Sequence, residues 1–178
     1  MLKDTLDSYG AVTRWFHWLM ALAVFALFGL GLWMVDLTYY DTWYNAAPDL
    51  HKSAGMVFLA ALVLRLIWRF INPKPVPEVE SALERKMATF VHVSFYLLLI
   101  ALCVSGYLIA TAKGQPLNVF GIVRIPAIWT HDGLETPAGM VHRWLAWTTI
   151  VLALVHAAAA IKHHLWDGKR TLVRMLRG

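Results

Sequence analysis

Four long apolar stretches, separated by polar segments, dominate the sequence. They run from about residue 15 to 35, 51 to 71, 89 to 112 and 137 to 161. Each is long enough for a helix that crosses a bilayer, which needs about 20 mostly apolar residues. The first stretch exceeds the roughly 7–15-residue core of a signal peptide, so we interpret it as a helix of the mature protein. The pattern predicts one all-α domain over residues 1–178, an integral membrane four-helix bundle.

The basic residues predict how these helices are oriented in the membrane. Of the 16 Lys and Arg residues, twelve lie on the side that holds the N-terminus and four lie toward the other side. Cytoplasmic loops carry the excess of Lys and Arg in membrane proteins, so both termini are expected to be cytoplasmic. The loop from Pro73 to Pro77 lies on that side, and its three prolines exclude a continuous helix.

Composition supports the membrane location and excludes several other classes. Hydrophobic residues make up 59% of the chain and charged residues 15%, against about 45–50% and 25% in soluble globular proteins. The net charge of +5 does not require nucleic acid as a partner, and the apolar content favours a lipid bilayer instead. The lone Cys103 excludes an internal disulfide, a zinc site made of cysteines and a Cys-x-x-Cys-His haem attachment.

Four of the eight histidines lie within or at the ends of the apolar stretches, at two depths. His142 and His156 are 14 residues apart on the fourth stretch, so they share a helix face and lie about 21 Å apart along its axis. His17 lies near the depth of His156, and His51 lies near the depth of His142. An ionisable side chain at membrane depth marks a functional site by default.

Two imidazoles that face each other at one depth suit a b-type haem held between helices. The pairs His17 with His156 and His51 with His142 therefore predict two haems stacked across the membrane. A small residue, which leaves room for a flat macrocycle, follows each histidine by one turn. These small residues are Ala21, Gly55, Ala146 and Ala160. A proton relay and ordinary hydrogen-bonded histidines remain alternatives at this stage.

Five segments of the chain carry a combined pattern. They are Arg14–Trp18, His51–Gly55, Leu64–Arg69, Ser105–Leu108 and His156–His164. Together they resemble the bacterial cytochrome b561 family, whose wider superfamily includes the cytochrome b subunits of nickel–iron hydrogenases. The similarity extends from about Tyr9 to Met175.

The resemblance implies a four-helix di-haem protein of the bacterial inner membrane, with ligands on the first, second and fourth helices. At the matching positions of this chain the ligands are His17, His51, His142 and His156. It also implies exchange of electrons with the quinone pool. Some stand-alone members of the family are thought to oxidise superoxide and reduce ubiquinone.

Two axial histidines fill both faces of each iron, so the expected function is one-electron transfer. The favoured prediction is a membrane electron carrier with ubiquinone or another quinone as partner, and with superoxide as a candidate substrate of a superoxide:quinone oxidoreductase. A second alternative is an anchor subunit that passes electrons between a dehydrogenase or hydrogenase and quinone. A third is a haem-free transporter or proton channel, which the lack of a midplane carboxylate disfavours.

Cationic side chains beside the ligands are candidate contacts for the haem propionates. Two are placed for the outer haem and two for the inner haem. These are Lys52 and Arg143 on the outer side, and Arg14 and Arg65 on the inner side. The outer two also predict attraction of a small anion such as superoxide.

A candidate quinone and proton site is predicted at the cytoplasmic end. His92 and His163 lie there, and histidines are suited to supply the protons that quinone reduction consumes. Arg65 is a further candidate for contact with quinone. An alternative is that these histidines only contact lipid headgroups.

Overall fold

The chain forms four long helices, a small β-hairpin and a short final helix. The computed structural model describes residues 1–78 and 81–177. In chain order the elements are α1 (Ala11–Met34), α2 (Ala46–Ile71), α3 (Ala82–Thr111), β1 (Leu117–Val119), β2 (Val123–Ile125), α4 (Glu135–Leu165) and α5 (Thr171–Leu176). The first four helices are long and apolar enough to cross a membrane, which confirms the predicted fold class.

The long helices extend beyond the apolar stretches into polar sequence. α3 begins at Ala82 rather than near residue 89, and α4 ends at Leu165 rather than near residue 161. Hydropathy marks only the part of a helix inside the hydrocarbon core, whereas backbone hydrogen bonding continues through the interfacial region. α2 begins at Ala46 and tolerates Pro48 in its first turn, because the first amides of a helix have no intrahelical partner.

Large apolar side chains on these helices face outward. Leu22 is 69% exposed, Leu97 65% and Phe70 82%. A lipid-facing surface has this character, while a soluble protein of this size would bury it. One buried cluster lies between α1, α2 and α3. Its members are Met20, Phe58, Leu62 and Leu99.

The packing order places both termini at the same end of the bundle. α1 packs against α2, α2 against α3 and α3 against α4. α1 and α4 meet through Phe28 and Trp147, whose ring centroids are 4.9 Å apart. We call the end that holds both termini the terminal end, and the opposite end, with the β-hairpin, the hairpin end.

The β-hairpin covers the start of α2 and was not predicted from the sequence. The register pairs Leu117 with Ile125, Asn118 with Arg124 and Val119 with Val123. Phe120 and Gly121 both adopt positive φ in the turn. The hydroxyl of Ser53 on α2 accepts from the Phe120 amide at 3.0 Å and donates to the Asn118 carbonyl at 3.3 Å. The hairpin is thus fixed two residues from His51.

Polar contacts join three segments at the terminal end. The buried carboxylate of Asp4 accepts from the Gly10 amide at 2.6 Å and from the Thr13 hydroxyl at 3.0 Å, and so satisfies donors at the start of α1. Arg174 of α5 donates to the Val76 carbonyl in the α2–α3 loop at 3.0 Å. The N-terminal segment, this loop and α5 therefore form one polar cap.

Replacing Arg174 is expected to destabilise this polar cap. Arg174 is 8% exposed and lies 3.6 Å from the Glu78 carboxylate. Arg174→Met leaves the Val76 carbonyl without its donor and the Glu78 carboxylate, which keeps the Arg170 amide, without its ion-pair partner, at a cost of about 1–3 kcal/mol. A lower Tm of the detergent-solubilised protein checks the expectation. Arg177→Met removes an exposed cation from the same segment and should leave the Tm unchanged; an equal loss in both variants would contradict a specific contact.

Candidate haem sites

The first candidate site lies at the hairpin end, between α2 and α4. The rings of His51 and His142 face each other with centroids 6.2 Å apart and planes at 76°. Two imidazoles on opposite faces of one iron, each bound through a metal–nitrogen bond of about 2 Å, have centroids about 6 Å apart. The spacing of this pair fits an axial ligand pair.

A hydrogen-bond network fixes the tautomer of His142. Its Nδ1 lies 3.1 Å from the carbonyl oxygen of Leu102 and 3.0 Å from Oγ of Ser105 on α3. A carbonyl oxygen only accepts, so Nδ1 carries the proton. The lone pair is therefore on Nε2, which is the atom that a metal ligand needs.

Two glycines make room for the rings at this level. A Cβ at Gly31 on α1 would lie 3.2 Å from Cε1 of His51, and a Cβ at Gly106 on α3 would lie 3.2 Å from Cε1 of His142. Each ring thus rests against the helix that precedes its own. Nδ1 of His51 is buried; the backbone of Leu27 is its acceptor, outside ideal hydrogen-bond geometry within residues 1–78 and 81–177. Gly55, one turn after His51, has nothing within 4 Å of an added Cβ.

The second candidate site lies toward the terminal end. His17 on α1 and His156 on α4 have ring centroids 6.4 Å apart at 61°, a spacing that again fits an axial pair. His92 on α3 lies even nearer to His156, at 5.7 Å, and Phe95 lies at 5.6 Å. The sequence reasoning placed His92 at the correct end, but it missed this contact with His156.

Arg65 is the cation that reaches the second site. Its Nη2 is 3.5 Å from Nδ1 of His17, and its Nη1 is 3.7 Å from Sδ of Met20. A guanidinium only donates, so Nδ1 of His17 is the acceptor in this contact and the proton is on Nε2. Ligation through Nε2 of His17 requires Arg65 to turn toward another acceptor.

The other candidate cations have partners or face outward. Lys52 is paired with Asp49 at 2.7 Å. Arg14 donates to the carbonyl oxygen of Leu176 in α5 at 3.0 Å, at the end of the bundle where a propionate contact was predicted. Arg143 is exposed next to His142 and has no ion-pair partner in the described part of the chain.

His163, near the C-terminal end of α4, is bonded to a carboxylate. Its Nδ1 donates to the Asp167 carboxylate at 2.6 Å, and Lys162 donates to the same carboxylate at 2.9 Å. These bonds, first from Lys162 and then from His163, lower the pKa of Asp167. Asp167 thus joins His163 and Lys162 in one ionic contact at this end of α4.

A group of three or more His, Cys, Asp or Glu side chains that could hold a metal ion does not occur among the described residues. A haem iron takes only two axial ligands from the protein. The hairpin-end pair, in which Nε2 of His142 is free to bind a metal, has the chemistry that a haem requires, and the terminal-end pair gains it when Arg65 releases Nδ1 of His17.

Four long apolar helices define a multi-pass membrane protein, and its facing histidines at two levels form an arrangement that suits haem. The family model described as prokaryotic cytochrome b561 matches residues 8–178. The chain belongs to the prokaryotic cytochrome b561 family, as its motifs predicted. It is therefore a multi-pass protein of the bacterial inner membrane that functions in electron transfer, and the family implies b-type haem.

Relatives with full-length similarity support this assignment. Cytochrome b561 homolog 2 of Escherichia coli (strain K12) is 47% identical over 175 residues, which cover 97% of this chain and 93% of the relative. Cytochrome b561 homolog 1 of the same strain is 25% identical, with 96% and 98% covered. A protein named probable superoxide oxidase CybB, from Yersinia pestis, is 27% identical, with 95% and 96% covered.

Proposed function

We propose that this chain carries two b-type haems, held by His51 with His142 and by His17 with His156, and exchanges electrons with a quinone. The observation that carries the proposal is the presence of two facing imidazole pairs, with centroids 6.2 and 6.4 Å apart, at two levels of one bundle. Each histidine pair would hold one haem, and the bound haems would supply one-electron transfer.

The protein's part is to position the ligands and to exclude water. α4 contributes one ligand to each level, so a single rigid helix fixes the vertical separation, which is about 21 Å for residues 14 apart. The buried cluster of Met20, Phe58, Leu62 and Leu99 lies between α1, α2 and α3. Its apolar side chains keep the dielectric low and limit the reorganisation that accompanies a change of charge.

The terminal end is proposed to face the cytoplasm. The excess of Lys and Arg on that side supports this orientation under the positive-inside rule. The hairpin end then faces the opposite side of the inner membrane. Under this arrangement the histidine pair at each end of the bundle would exchange electrons with a different partner.

Quinone exchange is proposed at the terminal end, where His92 is exposed on the bundle surface beside His156. Reduction of a quinone consumes two electrons and two protons, and an imidazole at the protein–lipid boundary is suited to transfer those protons. Arg65, at 3.5 Å from His17, adds a positive charge that favours electron-rich oxygen atoms nearby.

Superoxide is proposed as the electron donor at the hairpin end. The name of the Yersinia pestis relative, probable superoxide oxidase, supports this choice, as does the exposed Arg143 beside His142. Two superoxide anions each lose one electron and become O₂, while one quinone gains the two electrons and two protons and becomes a quinol.

Charge reversal at this end is expected to slow the reaction with superoxide. Arg143→Glu combined with Lys52→Glu replaces attraction of the anion by repulsion, and the second-order rate should fall about tenfold or more at low salt. Stopped-flow mixing with superoxide measures the rate. Lys113→Glu combined with Arg124→Glu, at two exposed cations on the same end, makes the same change in net charge and is the control. An unchanged rate in the double variant would exclude these two side chains from capture of the anion.

A reduced-minus-oxidised spectrum with haem quantification tests the proposal directly. Two haems per purified chain are expected. No haem absorbance would instead support a transporter or proton channel. A dehydrogenase or hydrogenase retained at one copy per chain after gentle detergent purification would support an anchor subunit.

A further inference from the structure

The Ser105-Gly106 segment lies on α3, the one long helix that carries none of the four proposed ligands. It is part of the Ser105–Leu108 motif, which the proposed function leaves without a role. Ser105 is 5% exposed, so its hydroxyl is hidden from lipid and water. A buried hydroxyl in an apolar bundle is retained at a cost unless it serves its neighbours.

The contacts of this segment all converge on His142. The Ser105 hydroxyl donates to the Leu102 carbonyl at 2.9 Å, and its oxygen accepts from the Nδ1–H of His142 at 3.0 Å. The Nδ1–H is shared with the Leu102 carbonyl at 3.1 Å. Gly106 lies against Cε1 of the same ring, since an added Cβ would be 3.2 Å away.

The opposite ring has half of this arrangement. Gly31 lies against Cε1 of His51 just as Gly106 lies against His142, at the same 3.2 Å. Nδ1 of His51 has the backbone of Leu27 as its acceptor, outside ideal hydrogen-bond geometry, and no hydroxyl equivalent to that of Ser105 bonds to it within the described residues. The two imidazoles of the hairpin-end pair therefore differ in their hydrogen bonding and not in their packing.

We infer that Ser105 and Gly106 are positioning residues that hold His142 as an Nε2 ligand and make it the stronger electron donor of the hairpin-end pair. The inference rests on the proposed function. A hydrogen bond from Nδ1–H to two acceptors moves electron density toward Nε2, which stabilises the ferric state over the ferrous state. The segment thereby lowers the reduction potential of the hairpin-end haem relative to that of a haem bound without the Ser105 hydroxyl.

Redox titration of Ser105→Ala, followed in the visible spectrum, tests the inference. The Leu102 carbonyl remains in this variant, so the equilibrium constant for reduction should rise about threefold to tenfold at one haem only, an upward shift of about 30–60 mV for one electron. Ser105→Thr keeps the hydroxyl and should restore the wild-type potential. Ser94→Ala, the same change elsewhere on α3, should shift neither potential.

Gly106→Ala tests the packing half of the inference. The added Cβ forces the His142 ring to rotate or move, so the low-temperature electron paramagnetic resonance signal of the hairpin-end haem should change. Gly29→Ala is the matched control, because nothing lies within 4 Å of a Cβ at that exposed glycine. Equal signals for wild type and Gly106→Ala would overturn this half.

Haem content separates failure of this inference from failure of the proposed function. If the wild type binds no haem, or if His142→Ala keeps both haems, the proposed function fails and the inference fails with it. If His142→Ala loses one haem while Ser105→Ala has wild-type potentials, or shifts only the terminal-end haem, the inference alone is overturned. A shift that Ser105→Thr does not restore would also overturn it.

Discussion

His142→Ala and His51→Ala are each expected to lower the haem content from two to about one per chain, with loss of the same haem. The two rings face each other at 6.2 Å, so removing either one leaves a single axial ligand at the hairpin end. A single imidazole holds a b-type haem weakly, because no covalent attachment to cysteine is available in this chain. Haem quantification with a redox titration of the remaining haem provides the measurement. The reduction potential of the haem that remains should be the same in both variants.

His17→Ala and His156→Ala are expected to remove the other haem and to leave the hairpin-end potential unchanged. A third histidine lies at this level, since the ring of His92 is 5.7 Å from that of His156 and the ring of His17 is 6.4 Å from it. The variants therefore show which of the two is the partner of His156. We expect His92→Ala to keep two haems. Loss of a haem in His92→Ala with two retained in His17→Ala would reassign the pair to α3 and α4. His131→Ala, at an exposed loop histidine, is the control for histidine removal alone.

The four spans were predictable because hydropathy reports directly on contact with lipid. Their ends were not, since helix continuation through the interface depends on backbone hydrogen bonds rather than on apolar side chains. α3 begins at Ala82, in a polar sequence that contains Glu84, Arg85 and Lys86. The hairpin was missed for a related reason. Strands of three residues with a Phe120-Gly121 turn carry neither a clear alternation nor the Asn-Gly signal of a common hairpin.

The two levels of histidines were predictable from helix periodicity, whereas contacts between helices were not. Residues 142 and 156 share a face because 14 residues nearly complete four turns, and this argument holds within one helix. The rotation of α3 against α4 decides that His92 touches His156, and no single-helix pattern contains it. The same limit explains why the sequence assigned a packing role to Gly55 but none to Gly31 or Gly106, which contact histidines of other helices.

Arg65→Met is expected to shift the reduction potential of the terminal-end haem downward and to leave the other potential unchanged. Arg65 lies within α2 with its guanidinium 5.9 Å from the ring centroid of Tyr96, and it has no acidic partner within 4 Å in the described ranges. A cation at membrane depth costs about 2.5–3.5 kcal/mol without such a partner. An anionic propionate is the counter-ion that the proposed haem supplies. Loss of the positive charge should lower the equilibrium constant for reduction about tenfold.

Matched variants separate this electrostatic role from a structural one. Arg65→Lys keeps the charge and should retain most of the potential, while Arg69→Met removes a cation one turn farther along α2 and should have a smaller effect. In a His17→Ala background, which should lack the terminal-end haem, Arg65→Met is expected not to lower the Tm, because it then removes a desolvated cation that has no anion to neutralise. Equal shifts of the reduction potential in Arg65→Met and Arg69→Met would contradict this role. If Arg65→Met lowers the Tm of the His17→Ala variant, Arg65 stabilises the bundle and does not act on the haem.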